Sequence, residues 1–375
     1  MVNQLSLALD TRLRQGRRWL LYRPHEGAPI HVHRCSIEEE ALARDNLTLV
    51  TGASGFVGAA VARALAARGH PLRLLVRGSS IRKHLTDLPA EFAEGDLNDS
   101  DSLARAVKDC RYVFHVAADY RIWVPNPEAM IATNVQATEN LLRLAYAAGV
   151  ERIIYTSSVA ALGLNPKGGP PATENTPITY DKVVGTYKKS KFLAEQMALK
   201  LSDEGIPVVI VNPAAPIGPG DVKPTPTGVM IRDAALGRMP AYVDTGLSVV
   251  HVDDCAAGHL MALDHGEIGE RYILGGQNIP MSEVLGLVDT VVGKTSRRVR
   301  LPIAPLMPAA VIAEQVARVT GKEPRLTRDH LKMAKKMMYF SSAKAEQTLG
   351  YTYRPAIEAV RDAILWFEQH GYLKA

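Results

Sequence analysis

Residues 51 to 58 read TGASGFVG, with glycines at 52, 55 and 58 set between the apolar run LTLV and the helix-like VARALAARG. Strand, glycine triplet and helix in that order describe a backbone that turns sharply at Gly52 and comes close to a bound group at Gly55. At Gly58 it packs the helix tightly against the strand. A dinucleotide pyrophosphate suits such a turn, because amide N–H groups and the positive end of the helix meet its charge. A glycine triplet alone is equally a ligand-free turn; the strand before it and the helix after it weigh against that reading.

From Leu47 onward, short apolar runs recur: LTLV at 47–50, LRLLV at 72–76, YVFHV at 112–116, RIIYTS at 152–157 and VVIVN at 208–212. Stretches with helical spacing separate them, such as the one that sets Val57, Val61, Ala64 and Leu65 on one face and stops at Gly69. Continuous apolar strands alternating with helices imply a parallel sheet covered on both faces, the α/β doubly wound (Rossmann) fold. The expected organisation is a dinucleotide-binding Rossmann domain over 46–212. A smaller, mainly substrate-binding part follows over 213–375, with segments returning to the Rossmann sheet. Residues 1–45 hold seven arginines, no lysine and no sustained period, and read as a poorly ordered extension. Within them, DTRLRQGRRWLLYRP faintly resembles a targeting or membrane-surface segment, without the apolar core of a signal peptide.

Apolar residues at 47% and charged residues at 22% of 375 suit a soluble globular protein. The net charge of +5 is spread thinly, with no dense basic stripe, so no nucleic-acid partner is expected. Cys35, Cys110 and Cys255 are odd in number and far apart, which points to a reducing, cytoplasmic setting and to no metal site. His115, His251 and His259 lack ligand spacing and read as structural. No run of about 18 apolar residues marks a membrane span.

The second strand ends Leu75, Val76, Arg77, Gly78, Ser79, Ser80, with no carboxylate within reach to hold the adenosine ribose hydroxyls. Arg77 can instead pair with a 2′-phosphate, which favours NADP, with NAD as the alternative. Asp96, in EGDLND, is placed to meet the adenine amino group, with Leu97 beside it. Farther on stand YTSSVAALG at 155–163 and YKKSK at 187–191. Tyr187 and Lys191 are one helical turn apart and share a face. A tyrosine with a pKa of about 10 is a poor base; a neighbouring ammonium and an oxidised nicotinamide stabilise its phenolate. Such a phenol takes a proton from an alcohol, or returns it, as hydride moves. The Ser158 hydroxyl is placed to hold the substrate oxygen.

These stretches in this order resemble the extended short-chain dehydrogenase/reductase superfamily over about residues 47–375. VFHVAADYRIWVPNP, TNVQATENLL, NPAAPIGPGD and HVDDCAAGH are most similar to its dihydroflavonol-4-reductase-like branch, in particular to the hopanoid-associated sugar epimerases of bacteria. The resemblance implies catalytic roles for Ser158, Tyr187 and Lys191, and backbone N–H groups of Phe56 and Val57 on the pyrophosphate. It also implies that Val116, Ala117 and Ala118 line the cofactor, that Asn134 supports the lysine through a polar network, and that Pro213 starts the loop beside the nicotinamide. Sugar-nucleotide epimerases commonly carry an arginine four residues before the histidine of HV-x-D; here that position is Leu247. Dehydratases follow the catalytic hydroxyl with Asp-Glu; here Val159 and Ala160 follow Ser158.

Three readings stay open: an NADP-dependent oxidoreductase acting on a ketone or secondary alcohol, an epimerase that retains its cofactor, and a silent NADP sensor. The substrate is a small molecule, a sugar, ketone or alcohol, lipid-linked if the resemblance extends that far, and a homodimer is expected. Tyr120, Arg121 and Trp123 either face the nicotinamide cleft or cover the core. HVDD at 251–254 reads as a helix cap, and Ile357, Val360, Ile364 and Phe367 as a core stripe. In Leu301–Lys336, Pro302, Pro305 and Pro308 forbid a long helix at the start. The apolar patch that follows, with Lys332, Lys335 and Lys336, either packs Met307, Val311, Ile312 and Val316 against protein or makes peripheral contact with an anionic membrane.

Overall fold

The computed structural model describes residues 47–119, 124, 126–320, 324 and 327–374; residues 1–46, with Cys35, and Tyr120, Arg121 and Trp123 lie outside the described residues. Along the chain come β1 (Thr48–Thr51), β2 (Leu72–Val76), β3 (Ala90–Glu94), β4 (Tyr112–His115), β5 (Arg152–Thr156) and β6 (Val208–Pro213). Then follow β7 (Ala215–Ile217), β8 (Ala241–Val243), β9 (Gly246–His251), β10 (Arg271–Leu274), β11 (Gln277–Pro280), β12 (Val299–Leu301) and β13 (Met337–Met338). The first six and β10 form a parallel seven-stranded sheet in the order β10-β6-β5-β4-β1-β2-β3. The strand order reverses between β1 and β4, the kind of switch point beyond whose carboxyl ends open α/β sheets bind ligands.

Neighbouring residues on the central strands explain their unbroken apolar runs. Val50, Phe114 and Ile154 enter one core with Val61, Leu65 and Leu260. Leu49, Val113 and Ile153 enter the opposite core with Leu141, Leu142 and Ala194. Each such fully buried side chain contributes about 1.5–3 kcal/mol. In the helix Phe56–Ala67, Gly58, Val61, Ala62 and Leu65 are buried while Val57 and Ala64 pack at the margin, and Gly69 ends it at φ 77°.

The chain beyond β6 forms a second layer. β11, β9 and β13 pair in that order with β7 also on β9, and β12 pairs with β8. The helices Pro226–Ala235, Met281–Val292 and Ala356–Gln369 close a third core that includes Ile231, Val284, Val360, Ile364 and Phe367, with Ile357 half-buried. β10 returns to the large sheet, and Ala345 and Leu349 of the helix Ala343–Leu349 join the first core.

Two local expectations change. A 15-residue helix, Leu306–Thr320, starts two residues before Pro308; a proline fits there because first-turn amides have no intrahelical acceptor. That helix buries Ala310 and Ala317, whereas Val311, Ile312 and Val316 are 38%, 65% and 54% exposed. Packing among the described residues leaves these three exposed. The HVDD segment does cap a helix, Val252–His265, but the capping atom is His251 Nδ1, which accepts from the Asp253 amide at 3.0 Å. Asp254 instead pairs with Arg354 at 2.8 Å.

Candidate active site

The glycine turn is built so tightly that side chains do not fit. Gly52 sits at φ 75°, and a Cβ there would fall 2.6 Å from the Ala117 nitrogen. A Cβ on Gly58 would fall 2.1 Å from the Gly52 carbonyl oxygen, and one on Gly55 would fall 3.3 Å from the same atom. Gly55 donates to that carbonyl at 2.9 Å and caps the helix with no side-chain acceptor; the first turn holds no acidic residue. The amides of Phe56 and Val57 thus open the helix without intrahelical partners, a cradle that fits a pyrophosphate.

Arg77, past the end of β2, is exposed, and its guanidinium makes no hydrogen bond or ion pair among the described residues. A carboxylate nevertheless comes close. β3 pairs with β2 so that Glu94 stands opposite Val76, and its Oε1 lies 2.9 Å from where a Cβ on Gly78 would be. Arg82 pairs with Glu94 at 3.1 Å and donates to the Arg77 carbonyl at 3.2 Å. The expectation of no carboxylate within reach is corrected here: it followed β2 alone, and the sheet brings Glu94 in from the next strand. Asp96 accepts from the amide and side-chain nitrogens of Asn98 at 2.9 and 3.0 Å, and Leu97 packs against the core.

Ser158, Tyr187 and Lys191 converge beyond β5. Burial pushes the Tyr187 phenol above its ordinary value, and its interaction with the Ser158 side chain draws it back down. Ser158 accepts from the Ala160 amide at 3.1 Å through its hydroxyl, and its carbonyl accepts from Asn212 Nδ2 at 3.0 Å. Lys191 is buried; its Nζ donates to the Thr156 carbonyl at 2.7 Å and lies 5.4 Å from the Tyr155 ring centre. Burial lowers the ammonium to about 8, and the negative charge of Glu195 opposes that shift. A phenol, a hydroxyl and an ammonium so placed can hold one substrate oxygen and move one proton to or from it.

Asn134 is buried, and its amide pairs both ways with the Asp119 backbone, each at 3.0 Å. It also donates to Ser190 Oγ at 3.1 Å, and that hydroxyl donates to the Tyr187 carbonyl at 2.8 Å. Its hold on the helix of Tyr187 and Lys191 therefore runs through Ser190, the neighbour of Lys191. Val116, Ala117 and Ala118 continue β4 beside Gly52; the Ala117 amide donates to Thr51 Oγ1 at 3.2 Å. Pro213 ends β6, buried. His115 joins Thr51 at 2.9 Å to Thr138 at 3.3 Å, and burial drops it to about 3. His259 lies 3.0 Å from Thr156 Oγ1 and 2.7 Å from the Cys255 carbonyl; burial drops it to about 4. Both rings are neutral structural links.

Sequence reasoning did not single out Glu195, Asn212 or Arg271, which meet behind Ser158 and Lys191. Glu195 stands four residues after Lys191, a spacing that shares its face, but an isolated glutamate on a helix gives no sign of being buried.

The profile of the NAD dependent epimerase/dehydratase family matches residues 48–275. The chain belongs to that family. Within it, a Synechocystis protein provisionally described as a dihydroflavonol 4-reductase is 42% identical over 338 residues, 89% of this chain and 98% of the relative. Sterol demethylase protein B of Methylococcus capsulatus is 31% identical over 328 residues, 87% and 99% of the two chains. The crystal structure of gox2253 shares 55% identity at a TM-score of 0.79, covering 88% of this chain and 100% of that one. The seven-stranded sheet and the glycine turn are thus those of an NAD-dependent epimerase/dehydratase-family enzyme, an extended short-chain dehydrogenase/reductase with dihydroflavonol-reductase-like relatives.

Proposed function

We propose that the chain is an NADP(H)-dependent oxidoreductase that interconverts a ketone and a secondary alcohol, releasing its cofactor at each turnover. The observation that carries this reading is the Tyr187 phenol interacting with Ser158, with the buried Lys191 ammonium one helical turn away. The bound nicotinamide supplies or accepts the hydride. On the protein side, the Ser158 hydroxyl donates to the substrate oxygen. Tyr187 gives that oxygen its proton in reduction and takes it back in oxidation, and Lys191 stabilises the phenolate left behind. Because burial keeps the free phenol protonated, Tyr187 stands ready as the acid that reduction needs. Phe56 and Val57 would hold the pyrophosphate across Gly52, Gly55 and Gly58. Arg77 would take the 2′-phosphate, Asp96 and Leu97 the adenine, and Val116, Ala117, Ala118 and Pro213 the nicotinamide half, with Asn134 holding the helix of Tyr187 and Lys191.

The family also contains epimerases, and retained cofactor is the second reading. Leu247 weighs against a sugar nucleotide: it packs at the edge of the third core where an arginine would grip a diphosphate. An apolar polycyclic alcohol or ketone suits that position better, and the sterol-related relative supports it. Among the described residues no helix is long and apolar enough to cross a membrane. Val311, Ile312 and Val316 are exposed, and Arg300 and Lys335, from either side of that helix in sequence, line a cavity of about 420 Å³ together with Lys167 and Asp244. Asp329, on the following helix, lies beside Gly185 at the start of the helix that carries Tyr187. This face would rest on anionic lipid near the site entrance. Following NADPH loss against ketone panels, with Tyr187→Phe as control, tests the activity; sedimentation velocity tests the proposed homodimer.

A further inference from the structure

Glu195 lies one turn beyond Lys191 in the helix Thr186–Asp203 and is fully buried. Its Oε2 accepts from Asn212 Nδ2 at 2.6 Å and its Oε1 from Arg271 Nη1 at 3.1 Å. The same Asn212 nitrogen donates to the Ser158 carbonyl at 3.0 Å. A buried carboxylate persists only when paired and hydrogen-bonded, and here one of its two supports is the amide that also holds Ser158.

The titratable groups around Lys191 come from several elements. Tyr187 and Glu195 share its helix, Tyr155 stands on β5, His115 on β4, and Arg271 on β10 behind Glu195. Burial holds His115 neutral and pushes Tyr155 far above its ordinary value, so neither carries charge in the working range. Among these groups Glu195 is the carboxylate.

We propose that Glu195 is a positioning residue: through Asn212 it sets the Ser158 backbone, and by its charge it holds the Lys191 ammonium beside Tyr187. The inference rests on the Ser158, Tyr187 and Lys191 reading. Glutamine would not substitute, because its amide N–H₂ would face one of the two donors that the carboxylate accepts from.

The test uses the full-length chain saturated with NADP⁺. The Tyr187 phenolate is read by ultraviolet difference absorbance as pH is raised, with Tyr187→Phe as the blank. Glu195→Gln is expected to raise the midpoint by about one pH unit, and Glu195→Asp, whose carboxylate is drawn back by about 1.5 Å, by less. An unchanged or lowered midpoint in folded, NADP⁺-bound Glu195→Gln, or equal shifts in the two variants, overturns the proposal. Should Glu195→Gln fail to fold, Glu195→Asp alone is read, and an unchanged midpoint has the same force. If the native chain shows no Tyr187 titration, the underlying reading of the site fails, and the proposal with it.

Discussion

Lys191 is charged only while the solution stays below about pH 8, because burial opposes its ammonium. Its folded value is lowered, so the charge is complete well below 8 and is lost as pH rises through it. Ketone reduction should therefore decline through about pH 8; a rate that stays level to beyond 9 would contradict a role for the ammonium. Arg77 makes the companion prediction. Arg77→Ala should weaken NADP⁺ binding by about 10–100-fold, the worth of a charge-assisted contact, and leave NAD⁺ binding nearly unchanged. Calorimetric titration of each cofactor checks it, and an unaltered preference would remove the 2′-phosphate assignment. Tyr187 and Lys191 were legible because their spacing is local. Glu94 and Glu195 were not, because their partners arrive from other elements: Val76 and Gly78 by β2–β3 pairing, Asn212 from β6 and Arg271 from β10.

At the scale of elements, the strand–turn–helix of β1 and Phe56–Ala67 depends on backbone contact that only glycine permits. Gly58→Ala would set its Cβ 2.1 Å from the Gly52 carbonyl, forcing the helix off the turn. Overpacking of this kind costs about 1–3 kcal/mol, and cofactor binding should fall more than the stability loss alone explains. Chemical denaturation and calorimetry on one preparation separate the two; native-like affinity would contradict the cradle. β1, β2, β4, β5 and β6 were readable as apolar runs because both faces of the sheet are covered. β3, AEFAE, was not among those runs. It is an edge strand whose Glu91, Phe92 and Glu94 are exposed. β10 has four residues and takes its register from β6, which no local pattern announces. In Leu306–Thr320 the larger apolar residues suggested burial, but the alanines proved to be the packed stripe, since small residues allow close helix approach.

Across the whole molecule, β6 of the large sheet runs almost directly into β7 of the second layer, with Ala214 between them. The apolar Val311, Ile312 and Val316 stand exposed on the helix Leu306–Thr320. Ile312→Glu should leave thermal stability within about 0.5 kcal/mol, as exposed sites do, yet reduce co-sedimentation with phosphatidylserine vesicles at low salt. No sedimentation of the native chain would remove the membrane surface and leave the enzyme reading untouched. Net redox chemistry at Tyr187 separates an oxidoreductase from a cofactor-retaining epimerase. Its most direct test is the stoichiometry of NADPH consumed to alcohol formed, for the native chain and Tyr187→Phe, against a ketone panel that includes polycyclic ketones. One NADPH should be lost per alcohol in the native chain, and the rate should be lower by about 10²–10⁴-fold in the variant; product formed with the cofactor retained, or equal rates in both, would rule out net redox chemistry at Tyr187.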